Sequence, residues 1–227
     1  MRLAVSAAVA LVLCGVSASA RPALDDTRLG EIDRYEVLTF ADPVQGSAIE
    51  RGKAIGVIDA TTEEIFRVAT DFPRYREFMP RVVGSSLVSR NNDTAQVMLT
   101  AELPWPVGRT WMEADYKMEK LPGDIYRVRF DMRRGNMKKY LGSLYIEPWT
   151  KTRSAITYEL VAEPNVTAPK SMLNKGVRRS VGNFVHALRQ HINELHRTGM
   201  LHPLQPALSA VPSTVVAPNP ATFKAVR

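Results

Sequence analysis

The sequence holds a single cysteine, Cys14, inside its first twenty residues. A chain cut after that stretch has none, which excludes disulfides, thiol nucleophiles and cysteine metal sites. There is no H-E-x-x-H, no G-x-S-x-G and no glycine-rich phosphate loop, so the short signatures of zinc peptidases, α/β-hydrolases and nucleotide enzymes are missing. Histidine is scarce too. His186, His191 and His196 are five apart on one helical stretch. Five residues turn about 500°, so consecutive rings diverge by roughly 140° and cannot share one ion. No metal, cofactor or catalytic residue is expected on these grounds. Internal repeats are also lacking.

What is present begins with a leader. Arg2 is the only charge in residues 1–20, Leu3 to Val16 is an almost unbroken apolar run, and Ala18-Ser19-Ala20 follows. The run is too short to span a bilayer and suits a signal peptide cut after Ala20, so an exported, periplasmic or secreted protein is expected. Without Arg2 the chain keeps a net charge of about +6. That bias fits anionic headgroups, and export argues against nucleic acid as a partner. Hydrophobic residues make up 45% of the chain, enough for one domain held by its core alone.

Residues 21–48 show little periodicity and read as a lead-in, partly ordered at most. Residues 200–227 carry Pro203, Pro206, Pro212, Pro218 and Pro220 and read as a flexible tail. The domain lies between, over 49–199. Ile49 to Ile58 reads as a strand. Thr61-Thr62-Glu63-Glu64 opens a short helix that Asp71-Phe72-Pro73 breaks, and a second short helix fits Arg74 to Met79. Six strand-like runs follow: Val82–Ser89, Thr94–Leu103, Val107–Glu119, Ile125–Met132, Lys138–Glu147 and Arg153–Ala162. Their links are short, which means an antiparallel meander.

Alternation separates two faces. Thr110, Met112, Ala114, Tyr116 and Met118 fall on one side of their strand, and Arg109, Glu113, Asp115, Lys117 and Glu119 on the other. Tyr126, Val128, Phe130 and Met132 alternate with charges, as do Ile156, Tyr158 and Leu160 with Thr157 and Glu159. The buried face needs a partner layer. From Pro169 to about Arg197, Leu173, Val177, Val181, Phe184, Leu188, Ile192 and Leu195 step by three or four, an amphipathic helix about 43 Å long.

The order of these elements resembles the START-like, or SRPBCC, superfamily of lipid-transfer domains, coenzyme Q-binding proteins and polyketide cyclases/aromatases. The local likeness lies in Ala60–Phe66, Asp71–Tyr75 and Phe78-Met79-Pro80, then Gly142-Ser143-Leu144, Thr157–Leu160 and Pro164 through Asn174. It covers roughly residues 49 to 197. It implies an α+β helix-grip fold, a curved antiparallel sheet wrapped around a long C-terminal helix with two short helices after the first strand. It also implies an apolar cavity between sheet and helix.

Such a cavity would be lined by Met98, Met112, Tyr116, Phe130, Met132, Tyr158, Val181 and Phe184. Flexible thioethers suit an irregular apolar ligand, and the two tyrosines would offer hydroxyls to a polar head. Non-catalytic binding of a lipid, sterol or quinone is the expected function, with a cyclase/aromatase-type enzyme as the alternative and a ligand-free interaction module as a third reading. Glycines Gly176 and Gly182 interrupt the long helix and suit close approach to a ligand or the sheet. Alternate turns of a meander share one end. Trp105, between Pro104 and Pro106, is therefore expected beside Arg133, Arg134, Lys138 and Lys139, an arrangement suited to transient contact with an anionic membrane surface.

Overall fold

The structure, a computed structural model, describes residues 25–47 and 49–201. The proposed leader and residues 202–227 of the tail lie outside the described residues. Thirteen segments of regular structure follow in order. They are α1 (Asp26–Asp33), β1 (Leu38–Asp42), β2 (Arg51–Ile58), α2 (Thr62–Ala69), a 3-10 turn (Phe72–Arg74), α3 (Tyr75–Phe78), β3 (Val82–Asn91), β4 (Thr94–Leu103), β5 (Gly108–Leu121), β6 (Ile125–Gly135), β7 (Met137–Pro148), β8 (Ser154–Pro164) and α4 (Lys170–Arg197). All strands join one sheet in the order β1-β2-β8-β7-β6-β5-β4-β3, and every neighbouring pair is antiparallel. This is the helix-grip arrangement.

Local chemistry explains the boundaries. The Thr61 hydroxyl accepts from the Glu64 amide at 3.3 Å, and the Thr61 amide donates to the Glu64 carboxylate at 2.8 Å, a reciprocal cap on α2. Pro73 cannot extend α2, and the chain continues as the 3-10 turn into α3. Pro169 occupies the cap position of α4 rather than its first turn. At the other end Thr198 donates its hydroxyl to the Glu194 carbonyl, and Gly199 takes a φ of +66°.

Two parts of the fold differ from expectation. The supposed lead-in is built into the fold. β1 adds the edge strand beside β2, and Ile32 of α1 is fully buried against Ile55, Val57 and Ala155. The second difference follows from the first. Thr157 and Glu159 are not on a wet face, because β8 is buried on both sides. α1 covers its start, and the loop through Val44 and Ile49 covers Val161. Beneath that cover Glu159 meets Lys53 at 2.7 Å.

α4 lies across β2 and β8. The inward row of β2 is Gly52, Ala54, Gly56, Ile58, and its glycines admit the helix. A Cβ on Gly52 would stand 2.8 Å from a Val177 methyl, and one on Gly56 would stand 2.8 Å from a Val185 methyl. The helix glycines have different surroundings. A Cβ on Gly176 would meet nothing within 4 Å, and one on Gly182 would stand 3.3 Å from the Thr39 methyl of β1. Close approach is thus provided chiefly by the strand, not by the helix interruptions.

Candidate ligand-binding site

The inward rows of β4 to β8 carry apolar and tyrosine side chains, and α2, α3 and α4 close over them. Register sets the rows. Leu99 pairs with Met112, Val97 with Ala114 and Ala95 with Tyr116. Tyr116 then pairs with Phe130, and Phe130 with Gly142. Glu113, Asp115, Lys117 and Glu119 stand on the opposite face. Glu113 is buried there under Arg134, whose Nη2 donates to its carboxylate at 2.6 Å.

Rings fill the space between sheet and helices. Tyr158 stacks on Phe184 of α4 with centroids 3.8 Å apart. Phe130 lies 5.4 Å from Tyr116, 5.0 Å from Tyr140 and 6.2 Å from Tyr158. Phe72 lies 4.5 Å from Tyr116 and edges onto Tyr75, which continues to Phe78. Phe78 stacks flat on His191 at 4.2 Å and so joins α3 to α4. The expected lining residues therefore close on one another, where an open hollow had been expected.

Three phenols give this interior its polar point. The rings of Tyr116, Tyr140 and Tyr158 all pack on Phe130, and Tyr140 bears electrostatically on the other two. Burial pushes all three up from the ordinary tyrosine value, Tyr116 and Tyr158 well above it, while the neighbouring Tyr116 and Tyr158 oppose the rise at Tyr140. Among the described residues no charged side chain bears on any of them. The titratable groups among the described residues that do are one another and Tyr75. The phenols are thus neutral, desolvated donors. Tyr75 satisfies itself by donating to the Ala69 carbonyl at 2.5 Å.

Of the residues expected to line the site, Met112, Tyr116, Phe130, Met132, Tyr158, Val181 and Phe184 are brought together in this interior. Met98 is not. It pairs with Glu113 on the outer face, between Gln96 and Thr100, because the inward row of β4 is Ala95, Val97, Leu99. Sequence reasoning missed Tyr140, Phe72 and Tyr75. The aromatic–Pro signal around Phe72 and Tyr75 was visible, but was read as structure only.

The turns share one end as expected. The β4–β5 turn, the β6–β7 turn, the 43–50 loop and the entry to α4 all lie there. Gly135 pairs with Met112, so the first four residues of β5 overhang the β6 edge by about 14 Å. Trp105 sits at the tip, 86% exposed. Asn136 clasps the overhang, accepting from the Trp111 amide at 2.8 Å and donating to the Arg109 carbonyl at 3.2 Å. The expected basic ring is partly committed. Arg134 is held by Glu113, Arg133 reaches Asp115 at 3.9 Å, and Lys139 donates to the Gly46 carbonyl at 2.5 Å. Lys138 is exposed.

Two depressions on the surface are formed by described residues. One, of about 590 Å³, is a trough on the outer face among Gln96, Asp115, Lys117, Arg129 and Asp131. The other, of about 390 Å³, lies between Arg67, Arg74 and Arg90 and the residues after α4. Charged side chains line both, unlike the neutral interior.

A helix-grip sheet whose inward rows are uncharged defines the class of fold. Comparison with known proteins gives the family. The chain belongs to the polyketide cyclase / dehydrase and lipid transport family, whose model matches residues 58–189. No curated protein matches it. Among solved structures it is similar to a STAR-related lipid transfer protein from Xanthomonas axonopodis at 21% identity. That match has a TM-score of 0.63 and covers 69% of this chain and 93% of that one. It is similar to human StAR-related lipid transfer protein 5 at 10% identity, with a TM-score of 0.64 over 70% and 83% of the two chains. It is also similar to the Zhui aromatase/cyclase from Streptomyces sp. R1128 at 11% identity, with a TM-score of 0.54 over 66% and 96%. At such identities the likeness is one of fold.

Proposed function

We propose that the protein binds a hydrophobic ligand between α4 and the concave face of the sheet, and carries it without altering it. One observation carries this reading: among the described residues the interior where a ligand would lie is built of apolar and tyrosine side chains, while the charged residues of β5 and β6 point the other way. Ring-to-ring contacts are worth only about 0.5–1.5 kcal/mol beyond their buried area, so a ligand that replaces them loses little. Each Å² of ligand removed from water returns roughly 25 cal/mol. The inward methionines Met112 and Met132 can re-pack around an irregular shape. The relatives named for lipid transfer support carriage. The test is an organic extract of the purified protein analysed by mass spectrometry. A stoichiometric lipid, sterol or quinone is expected. A clean extract, with no uptake from added lipid, overturns the reading.

The cyclase-type alternative has one observation in its favour, the tyrosine trio, which could polarise a carbonyl. Acid–base chemistry also needs a base, and none of the described inward-facing carboxylates or imidazoles bears on those phenols.

Carriage in this reading takes place outside the cytoplasm, as the Leu3–Val16 run and the Ala18-Ser19-Ala20 site support. N-terminal sequencing of the mature protein should begin at Arg21; a chain that still begins at Met1 overturns export. Loading takes place at an anionic membrane met by Trp105 and the exposed Lys138. Replacing Trp105 and Lys138 with Ala is expected to weaken binding to anionic vesicles several-fold, and unchanged binding overturns this contact.

A further inference from the structure

The smaller surface depression, about 390 Å³, lies at the end of the sheet away from Trp105, beside the β3–β4 turn. Three separate elements bring a guanidinium to it. Arg67 comes from the last turn of α2, Arg74 from the 3-10 turn and Arg90 from the end of β3. Among the described residues that line it, Asp71 is the one carboxylate, so three cations against one anion leave a net charge of +2. The end of α2 accounts for part of this. Its C-terminal carbonyls favour a cation, and the Thr70 carbonyl accepts from Arg90 Nη1 at 3.4 Å. That bond is long, and the contact of Arg90 Nη2 with the Met118 sulfur at 3.7 Å is a weak one. Arg74 donates through Nε to Glu77 at 2.9 Å, in an exposed pair of a kind that contributes little. Residues 202–227, which follow Leu201 at the rim, contain no Asp or Glu. Their side chains bring no counter-charge.

We infer that this depression binds a phosphate group carried on an apolar body. Arg74 and Arg90 offer forked N–H donors from two different elements and keep their charge at any physiological pH. Such a pair suits the several oxygens of a phosphate better than the two of a carboxylate. The rest of the wall is apolar. Val68 and Leu195 belong to the core, and Leu201 and the exposed Met200 stand at the rim. The volume falls in the usual range for small-molecule sites and leaves room beyond a bare phosphate. The ligand is therefore a phosphate monoester with an alkyl part, either free in solution or as the headgroup of a phospholipid. This site is separate from the uncharged interior and stands whatever that interior carries.

The experiment is calorimetric titration of the purified protein with inorganic phosphate, hexyl phosphate and hexanol. Hexyl phosphate is expected to bind about tenfold tighter than inorganic phosphate, since its alkyl part meets Val68, Leu195 and Leu201, and about tenfold or more tighter than hexanol. Arg90→Gln and Arg74→Gln should each weaken hexyl phosphate about tenfold. Arg178→Gln, on α4 near Glu50 at the other end, should leave it unchanged. Hexanol that binds as tightly as hexyl phosphate overturns the inference. So does hexyl phosphate binding that neither Arg90→Gln nor Arg74→Gln weakens. Inorganic phosphate that binds as tightly as hexyl phosphate overturns the apolar body. The comparison of ligands on the parent protein stands even if a variant fails to fold. Co-sedimentation with vesicles of phosphatidylcholine and phosphatidic acid separates the two sources. Weaker sedimentation of Arg90→Gln assigns the site to a bilayer headgroup, and equal sedimentation with weakened hexyl phosphate assigns it to a monoester in solution.

Discussion

Phe78 and His191 meet as flat stacked rings where α3 reaches α4. Burial holds the His191 imidazole below its ordinary value, and Arg74 adds to the effect. His186 is lowered for the same chief reason. The folded protein therefore resists protons that the unfolded chain accepts, and stability rises with pH across that window. Thermal stability is expected to be level above the usual imidazole value of about 6.5 and to fall as the pH drops through it. In His191→Phe, which preserves the stack and cannot charge, the fall should be smaller. An identical pH profile for the variant would remove His191 from the explanation. Residue-scale reading of the sequence was strongest where charges mark one face. Tyr116, Phe130 and Tyr158 were legible because Arg, Asp, Glu or Thr alternate with them. Tyr140 was not, since β7 carries apolar groups on both faces, Leu144 and Ile146 inward and Leu141 and Tyr145 outward. Met98 was chosen for its flexible thioether, although its neighbours Val97 and Leu99 hold the inward row.

At the scale of elements, the grip of the sheet on α4 depends on glycines in β2. Gly52→Ala is expected to cost about 1–3 kcal/mol, because the new methyl meets Val177 and Val181 with little room to move. Gly176→Ala meets nothing within 4 Å and should stabilise the helix by about 1 kcal/mol. Urea unfolding of the two variants checks both signs, and equal effects would contradict this picture of the contact. The helix itself was plain in the sequence, because its three-and-four spacing is a property of one element. Which side supplies the room was not plain. That depends on how two elements lie against each other, and a lone glycine looks alike in either.

The whole molecule shows the same division. Short turns announced the meander, and three-and-four apolar spacing announced the helix that closes it. The hydrophobic pattern of residues 25–42 was too brief to announce an element. Its role appears only when Ile32 and Phe40 are seen covering the outer side of β2 and the start of β8. That cover leaves β2 and β8 packed on both faces beneath α4. The part nearer β6 and β5 is faced by rings and methionines, and the proposed ligand is placed there. A direct measurement places a tryptophan in that space by Phe184→Trp and titrates the variant with methyl dibromostearate, whose bromines quench indole at contact. Saturable quenching is expected at one ligand per chain, with the emission of Trp105, Trp111 and Trp149 in the parent protein unchanged. Quenching no greater in the variant than in the parent would contradict a ligand held between α4 and the sheet.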